Sequence, residues 1–435
     1  METRAKKRTS KKGLNFIDAH FFSLPSQGNI YTLSPLTDAQ GYTKLLVASL
    51  QRKIYCLEYK NGRPCMREVP FTYIPAGAEI VSIDAVNRSV IQEDFIIGIT
   101  IIKKEDGKGQ QSQFFNIYSD WDLNSDSALE VVSQNCLTLN LDFVPYYLCH
   151  TQTNAKAGWE TVWLLSGSDH RIHVYHSDEV SYQEEEGDSP SFPEFSNLTQ
   201  ITLWMDILYS PDKKRRVSAV GGEGGKVEVF GVTLDPLPRV TSSQSVSWDY
   251  PVASVNTFCL NNTLPIPEFL KAFRLQDHQD CEEDVVHIAV CTALESCLIY
   301  RDFLGSRESC LLPESSAHDV VLCCTVCDID HDGKNEVLIG TYGHVVLVYK
   351  LVEEEEEEEK EESSAAWRVV HTIKLPCPVL SIAYCDVTGD GCFELVIMTS
   401  AGIHIFQHDP KDMAVLVLRR LRALTEHKDF SVLET

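Results

Sequence analysis

No apolar run in this 435-residue chain approaches the roughly 18 residues that a bilayer-crossing helix needs, so a helical membrane span is excluded. Basic residues are scarce as well. The chain has 38 Lys and Arg against 63 Asp and Glu, a formal charge of −25, which argues against a general attraction of its body to nucleic acid or anionic membrane. Helix formers at i, i+3, i+4 spacing do not recur before about the last 25 residues, so a helical fold is disfavoured. There is no G-x-S-x-G, no H-E-x-x-H and no Cys/His pairing with a family signature, so no enzyme class is supported. The basic stretch Met1 to Lys12 has no apolar segment behind it and does not read as a secretory signal. The 15 cysteines therefore read as reduced, buried thiols of a cytosolic protein, and the sequon at Asn197-Leu198-Thr199 as an accident of composition.

What is present is ordinary globular composition, 43% hydrophobic and 23% charged, with Val, Ile, Tyr, Thr and Cys dominating short apolar runs. These runs repeat. An apolar segment, a tight polar turn and an alternating segment ending on an aromatic or Leu recur at Leu45–Leu57, Phe95–Tyr118, Val162–Tyr175 and Val217–Phe230. They return at Val286–Tyr300, Val337–Tyr349 and Leu395–Phe406. The seven units end about 58 residues apart on average, near the long end of known repeat periods. Each is flanked by further β-rich runs, as by Val320–Cys327 and Trp367–Ile373 around the sixth. Four strands per unit predict an all-β fold, a seven-bladed β-propeller of four-stranded blades.

Two segments interrupt the period, 177–196 and 352–366. The second includes Glu353–Glu362, nine Glu and one Lys. Both are expected to be solvated acidic insertions. The expected organisation is a basic disordered tail over 1–16, the propeller over 17–418 and a C-terminal tail over 419–435 with a short helix. Met413–Leu418 is a candidate outer strand of blade seven.

The most informative short motifs fall in units six and seven. Asp328, Asp330, Asp332 and Glu336 occupy positions 1, 3, 5 and 9 of a loop with Gly333 at position 6, the alternation by which hard cations such as calcium gather oxygen ligands around a sharp turn. Asp386, Thr388, Asp390 and Glu394 repeat the pattern with one charge fewer, which implies weaker binding. The alternative for both is a turn whose Asp side chains cap local amides. A bound ion would be structural Ca2+ stapling the hairpin; no cofactor is required. Each loop lies between a first and a second strand, where integrin-type FG-GAP blades carry calcium loops, and the resemblance to that motif covers these two units.

Other clusters fail on strand geometry. Cys324 faces away from Cys323 and Cys327, which stand roughly 13 Å apart, so tetrahedral zinc is not expected. His173 likewise points away from His170 and His176. Gly221–Lys226 has Val227 where a phosphate loop needs Ser or Thr, and reads as a hairpin turn.

Longer stretches resemble the kaptin family of FG-GAP-like propellers. They are Ser26–Tyr31, Tyr73–Asp84, Leu164–Asp169, Tyr300–Leu304, Asp328–Tyr342 and Cys385–Glu394, in order along nearly the whole chain. The resemblance implies a non-enzymatic scaffold subunit of the KICSTOR complex, paired with a second FG-GAP propeller protein. Such a subunit helps hold GATOR at the lysosome and negatively regulates target-of-rapamycin complex signalling on amino-acid or glucose deprivation. It would be cytoplasmic, reaching the lysosomal surface by recruitment. The alternative is an actin-filament-binding cytoskeletal protein in actin-rich projections. Actin is acidic, so that reading needs a local basic surface, and Arg419, Arg420 and Arg422 with the N-terminal arm are the obvious supply. Adhesion-ligand binding of the integrin kind does not fit a chain without a signal peptide or membrane span.

Overall fold

The computed structural model describes residues 15–60, 62–89, 91–104, 111–120, 129–155, 158–178, 181–185, 187, 189–261, 285–353 and 365–426. These form seven four-stranded antiparallel sheets, arranged as the blades of a seven-bladed β-propeller. Each repeat unit read from the sequence is the second and third strands of one blade. The closing residues Leu57, Tyr118, Tyr175, Phe230, Tyr300, Tyr349 and Phe406 all lie on third strands and are buried.

The core is divided rather than single. Seven hydrophobic clusters each join two neighbouring blades, from Leu46 and Ile54 of blade 1 against Ile97 and Phe95 of blade 2 round to Val396 and Met398 of blade 7 against Leu45 and Leu57 of blade 1. Both faces of the second and third strands are therefore covered, which is why these strands read as nearly continuous apolar runs.

Polar latches join the innermost strands. The Asp84 carboxylate on Ala78–Asn87 accepts the His150 amide at 2.6 Å and contacts its ring Nδ1 at 2.7 Å on Pro145–Ala155. Asp206 accepts the amide and hydroxyl of Thr257 at 2.6 and 2.8 Å, joining blade 4 to blade 5, and burial raises its pKa. Tyr31, ahead of blade 1, crosses the ring to donate to the Leu203 carbonyl at 2.8 Å, and its ring lies 5.4 Å from Tyr147 and 6.0 Å from Trp204.

The ring closes through the N-terminal strand. Phe16–Ser23 pairs antiparallel with Gly402–His408 as the outer strand of blade 7. The expected outer strand at Met413–Leu418 is thus corrected: this run lies inside the helix Pro410–Glu426, and the boundary expected at 418 falls within that helix. The blade edge is already occupied, and Asp409-Pro410 starts a helix, with Asp409 Oδ1 accepting the Lys411 amide at 2.8 Å and Pro410 at the first position.

The first expected insertion is corrected too. Ser177 and Asp178 end the third strand of blade 3 and Ser181–Glu184 is its outer strand. Behind it Phe192 and Phe195 are buried, and Glu194 pairs with the fully buried Arg216 at 2.8 Å under a Ser218 hydroxyl. The Arg216 guanidinium also lies 4.1 Å from the Phe192 ring centre. Apolar anchors scattered among the Glu and Pro residues dock the segment. At the second, Val352 and Ala366 belong to paired strands, and 354–364 lie outside the described residues, as do 1–14 of the basic tail.

Candidate metal centre

The blade 6 loop follows the inner strand Val321–Cys327 and leads into Glu336–Thr341. His331 and Gly333 hold positive φ, 58° and 92°, which folds the loop back so that carboxylate oxygens of Asp328, Asp330 and Asp332 lie within 4.8 Å of one another. Backbone amides tie each carboxylate in place. Gly333 donates to Asp328 at 2.9 Å, Lys334 to Asp332 at 2.9 Å and Ile329 to Glu336 at 2.9 Å.

Into this acidic turn the third strand sends a cation of its own. Lys350 Nζ lies 2.5 Å from Asp330, 2.7 Å from Asp332 and 2.7 Å from Glu336. Burial pulls the Lys350 pKa down, but the three carboxylates outweigh it and the net shift is upward. Burial pushes the Glu336 carboxyl up to about 7, Lys350 opposing and Asp330 adding to the rise. Three of the four predicted ligands thus share an internal ammonium. Lys350 carries no motif; the available signal is a single lysine inside the apolar strand Val-Val-Leu-Val-Tyr-Lys-Leu-Val.

The blade 7 loop is built differently. Asp386 accepts three amides, from Gly389 at 2.6 Å, Asp390 at 3.2 Å and Gly391 at 2.8 Å, and Asp390 accepts that of Cys392 at 2.8 Å. Glu394 accepts the Thr388 hydroxyl at 2.9 Å and the Val387 amide at 3.0 Å. Gln407 stands where Lys350 stands in blade 6, each directly after the aromatic of its third strand, and its amide reaches Glu394 at 3.4 Å. Burial pushes Glu394 up to about 7 against these hydrogen bonds, with Asp390 adding to the rise. The four predicted residues are together, organised around backbone amides as in Asx turns.

The C-terminal helix lies over the blade 6 loop. Arg420 donates to the His331 carbonyl, Asn15 Nδ2 to Asp412 at 2.7 Å, and a pocket of about 210 Å³ remains among Asp330, His331, His408, Met413 and Arg419. His331 and His408 have ring centres 4.8 Å apart, and burial followed by His331 pushes His408 down to about 4.

The discounted clusters stay apart. Cys323 packs between blades 6 and 7 and Cys324 between blades 5 and 6, and burial pushes the Cys323 thiol up to about 12, far from the thiolate that metal or redox chemistry uses. All 14 described cysteines are free. His173 sits between Glu184 and Asp169, His176 meets Glu160, and His170 meets the Thr199 carbonyl. Gly221–Lys226 is the turn between Arg215–Gly222 and Lys226–Thr233.

Residues 16–418 match the family described as "KICSTOR complex protein kaptin". A mouse protein of that name is 35% identical over 420 residues, covering 95% of this chain and 92% of its own. This chain belongs to the kaptin family. Kaptin relatives and this chain are therefore matched across every blade. Among solved structures, crystals of BBS1N with ARL6DN, soaked with mercury or with lead, align over 92% of the chain with TM-score 0.49 and 11% identity.

Proposed function

We propose that this chain is a non-enzymatic scaffold subunit of KICSTOR, helping hold GATOR at the lysosomal surface and restraining target-of-rapamycin complex signalling when amino acids or glucose are withdrawn. The observation that carries the reading is the kaptin match over residues 16–418. A ring locked by seven inter-blade cores suits a rigid docking platform, with a second propeller protein as its partner. The test is deletion followed by rescue. Cells without the protein should keep signalling after amino-acid withdrawal, and the intact chain should restore the shut-off; normal shut-off in the deleted cells refutes the proposal.

At the blade 6 loop, Lys350 takes the role of the cation, and calcium is drawn there only once that ammonium is removed. One observation favours a second activity. The helix Pro410–Glu426 exposes Arg419, Arg420 and Arg422 together on a strongly acidic protein, the local basic surface that binding to actin filaments needs. Co-sedimentation with filaments should fall on R419E/R422E; binding that ignores those charges removes this reading.

A further inference from the structure

The C-terminal helix Pro410–Glu426 has two unlike faces. Asp412, Met413 and Leu416 line the pocket that it covers with His331 and His408. That face is pinned to the propeller. The Asp409 amide, just ahead of the helix, donates to the Asn15 carbonyl at 3.1 Å, Asn15 Nδ2 donates to Asp412 at 2.7 Å, and Arg420 donates to the His331 carbonyl. The other face is apolar and turned to solvent. Ala414, Val417, Leu418 and Leu421 follow the i, i+3, i+4, i+7 spacing that puts side chains on one stripe, and the last three are 50%, 54% and 52% exposed. A helix that only covers a propeller face would carry its charges along this outward stripe; here Lys411, Arg419 and Arg422 stand beside it, all exposed.

A second basic element meets the helix where it starts. Residues 1–14 carry six Lys and Arg against one Glu, and they join the described chain at Asn15, the residue bonded to Asp409 and Asp412. The carboxylates nearest this surface are already engaged: Asp412 by Asn15, Asp409 by the Lys411 amide, and Asp330 and Asp332 by Lys350. Negative charge elsewhere on the ring is largely screened from it, because the screening length at physiological salt is about 8 Å. An acidic protein thus gathers two basic segments and an exposed apolar stripe in one place.

We propose that this surface docks on an anionic lipid membrane. The helix lies in the headgroup layer with Val417, Leu418 and Leu421 toward the acyl chains, and residues 1–14 add basic contacts to the headgroups. No described helix is long and apolar enough to cross a bilayer, so the contact is peripheral. Four aliphatic side chains on one helix fall far short of the roughly 20–30 residues a side that a standard protein interface engages, whereas an interfacial helix needs only an apolar stripe with basic residues beside it. A second copy of this chain would bring the same arginines and the same net charge against them. An apolar anchor that is weak alone becomes effective with a polybasic segment next to it, which is the combination assembled at Asn15. The proposal depends on neither the KICSTOR nor the actin reading: binding to actin calls on the arginines, and binding to lipid calls on the leucines as well.

The test floats the full chain with vesicles of phosphatidylcholine containing about 30% phosphatidylserine, and with vesicles of phosphatidylcholine alone. Binding should be about tenfold or more tighter to the anionic vesicles and should weaken as salt rises. L418S/L421S should lower it about tenfold, and deletion of residues 1–14 should lower it as well. No flotation with the anionic vesicles, or equal flotation with both kinds, overturns the proposal. L418S/L421S binding as tightly as the parent overturns it too, since the basic segments would then act without the helix stripe. The comparison of the two vesicles is made on unaltered protein and decides the matter even if a variant fails to fold.

Discussion

Lys350→Met removes the one cation that three carboxylates of the blade 6 loop share. The contacts are 2.5, 2.7 and 2.7 Å, but they are not of equal weight. The Glu336 side chain is fully buried, while Asp330 and Asp332 are 30% and 43% exposed, so water screens the latter two. Breaking a buried pair from one side costs about 3–5 kcal/mol, and an exposed pair contributes at most about 1 kcal/mol. Protonation of Glu336, already pushed up to about 7, limits the loss. The expected destabilisation at neutral pH is about 2–4 kcal/mol, read by urea unfolding. Because the variant takes the Lys350 ammonium away from Asp330, Asp332 and Glu336, calcium near 1 mM should recover much of it, as the affinities of weak extracellular-type sites allow. The unaltered protein should respond to neither calcium nor EDTA. A variant within about 0.5 kcal/mol of the parent, or a parent that loses stability in EDTA, refutes the reasoning.

Arg216→Met strands a buried Glu194 and should cost about 3–5 kcal/mol in chemical denaturation, with Glu194→Gln added to it recovering a large part; a loss below about 1 kcal/mol would mean the pair behaves as an exposed one. His287 is pushed down to about 4, chiefly by burial and then by Arg301, so the folded state keeps it neutral where the unfolded chain takes up a proton. Its contribution is present above about pH 6.5 and is lost as pH falls toward 4, so the stability of His287→Phe relative to the parent should rise over that window; a pH-independent difference contradicts this. Tyr31→Phe removes a single cross-ring hydrogen bond and should cost about 1 kcal/mol in urea unfolding with the blades intact, whereas an unchanged midpoint would show that Tyr31 does not brace the ring.

The blades were legible because each buries its second and third strands on both faces, so the same apolar hairpin returns seven times with a closing Leu or aromatic on the third strand. Closure was not. Phe16–Ser23 pairs with Gly402–His408 across almost the whole chain, and Met413–Leu418 is an equally apolar run placed just after blade 7. The competing signal was local, since Asp409-Pro410 is a helix start, and it prevailed because the edge was taken. Both acidic loops were visible as motifs, because a side chain at every second position is a local pattern. Lys350 was not, because it reaches the blade 6 loop from the adjacent strand. Arg216 and Glu194 hid for the same reason: a buried ion pair has no period, and a Glu between two Phe residues reads as loop.

The central claim is membership of an obligate scaffold complex, and the most direct measurement is mild affinity purification of the tagged protein from cell extract with quantitative mass spectrometry before and after a high-salt wash. The account predicts stoichiometric recovery of a second propeller protein and the other KICSTOR subunits, retained through the wash. Recovery of actin alone, lost as salt rises, would contradict it.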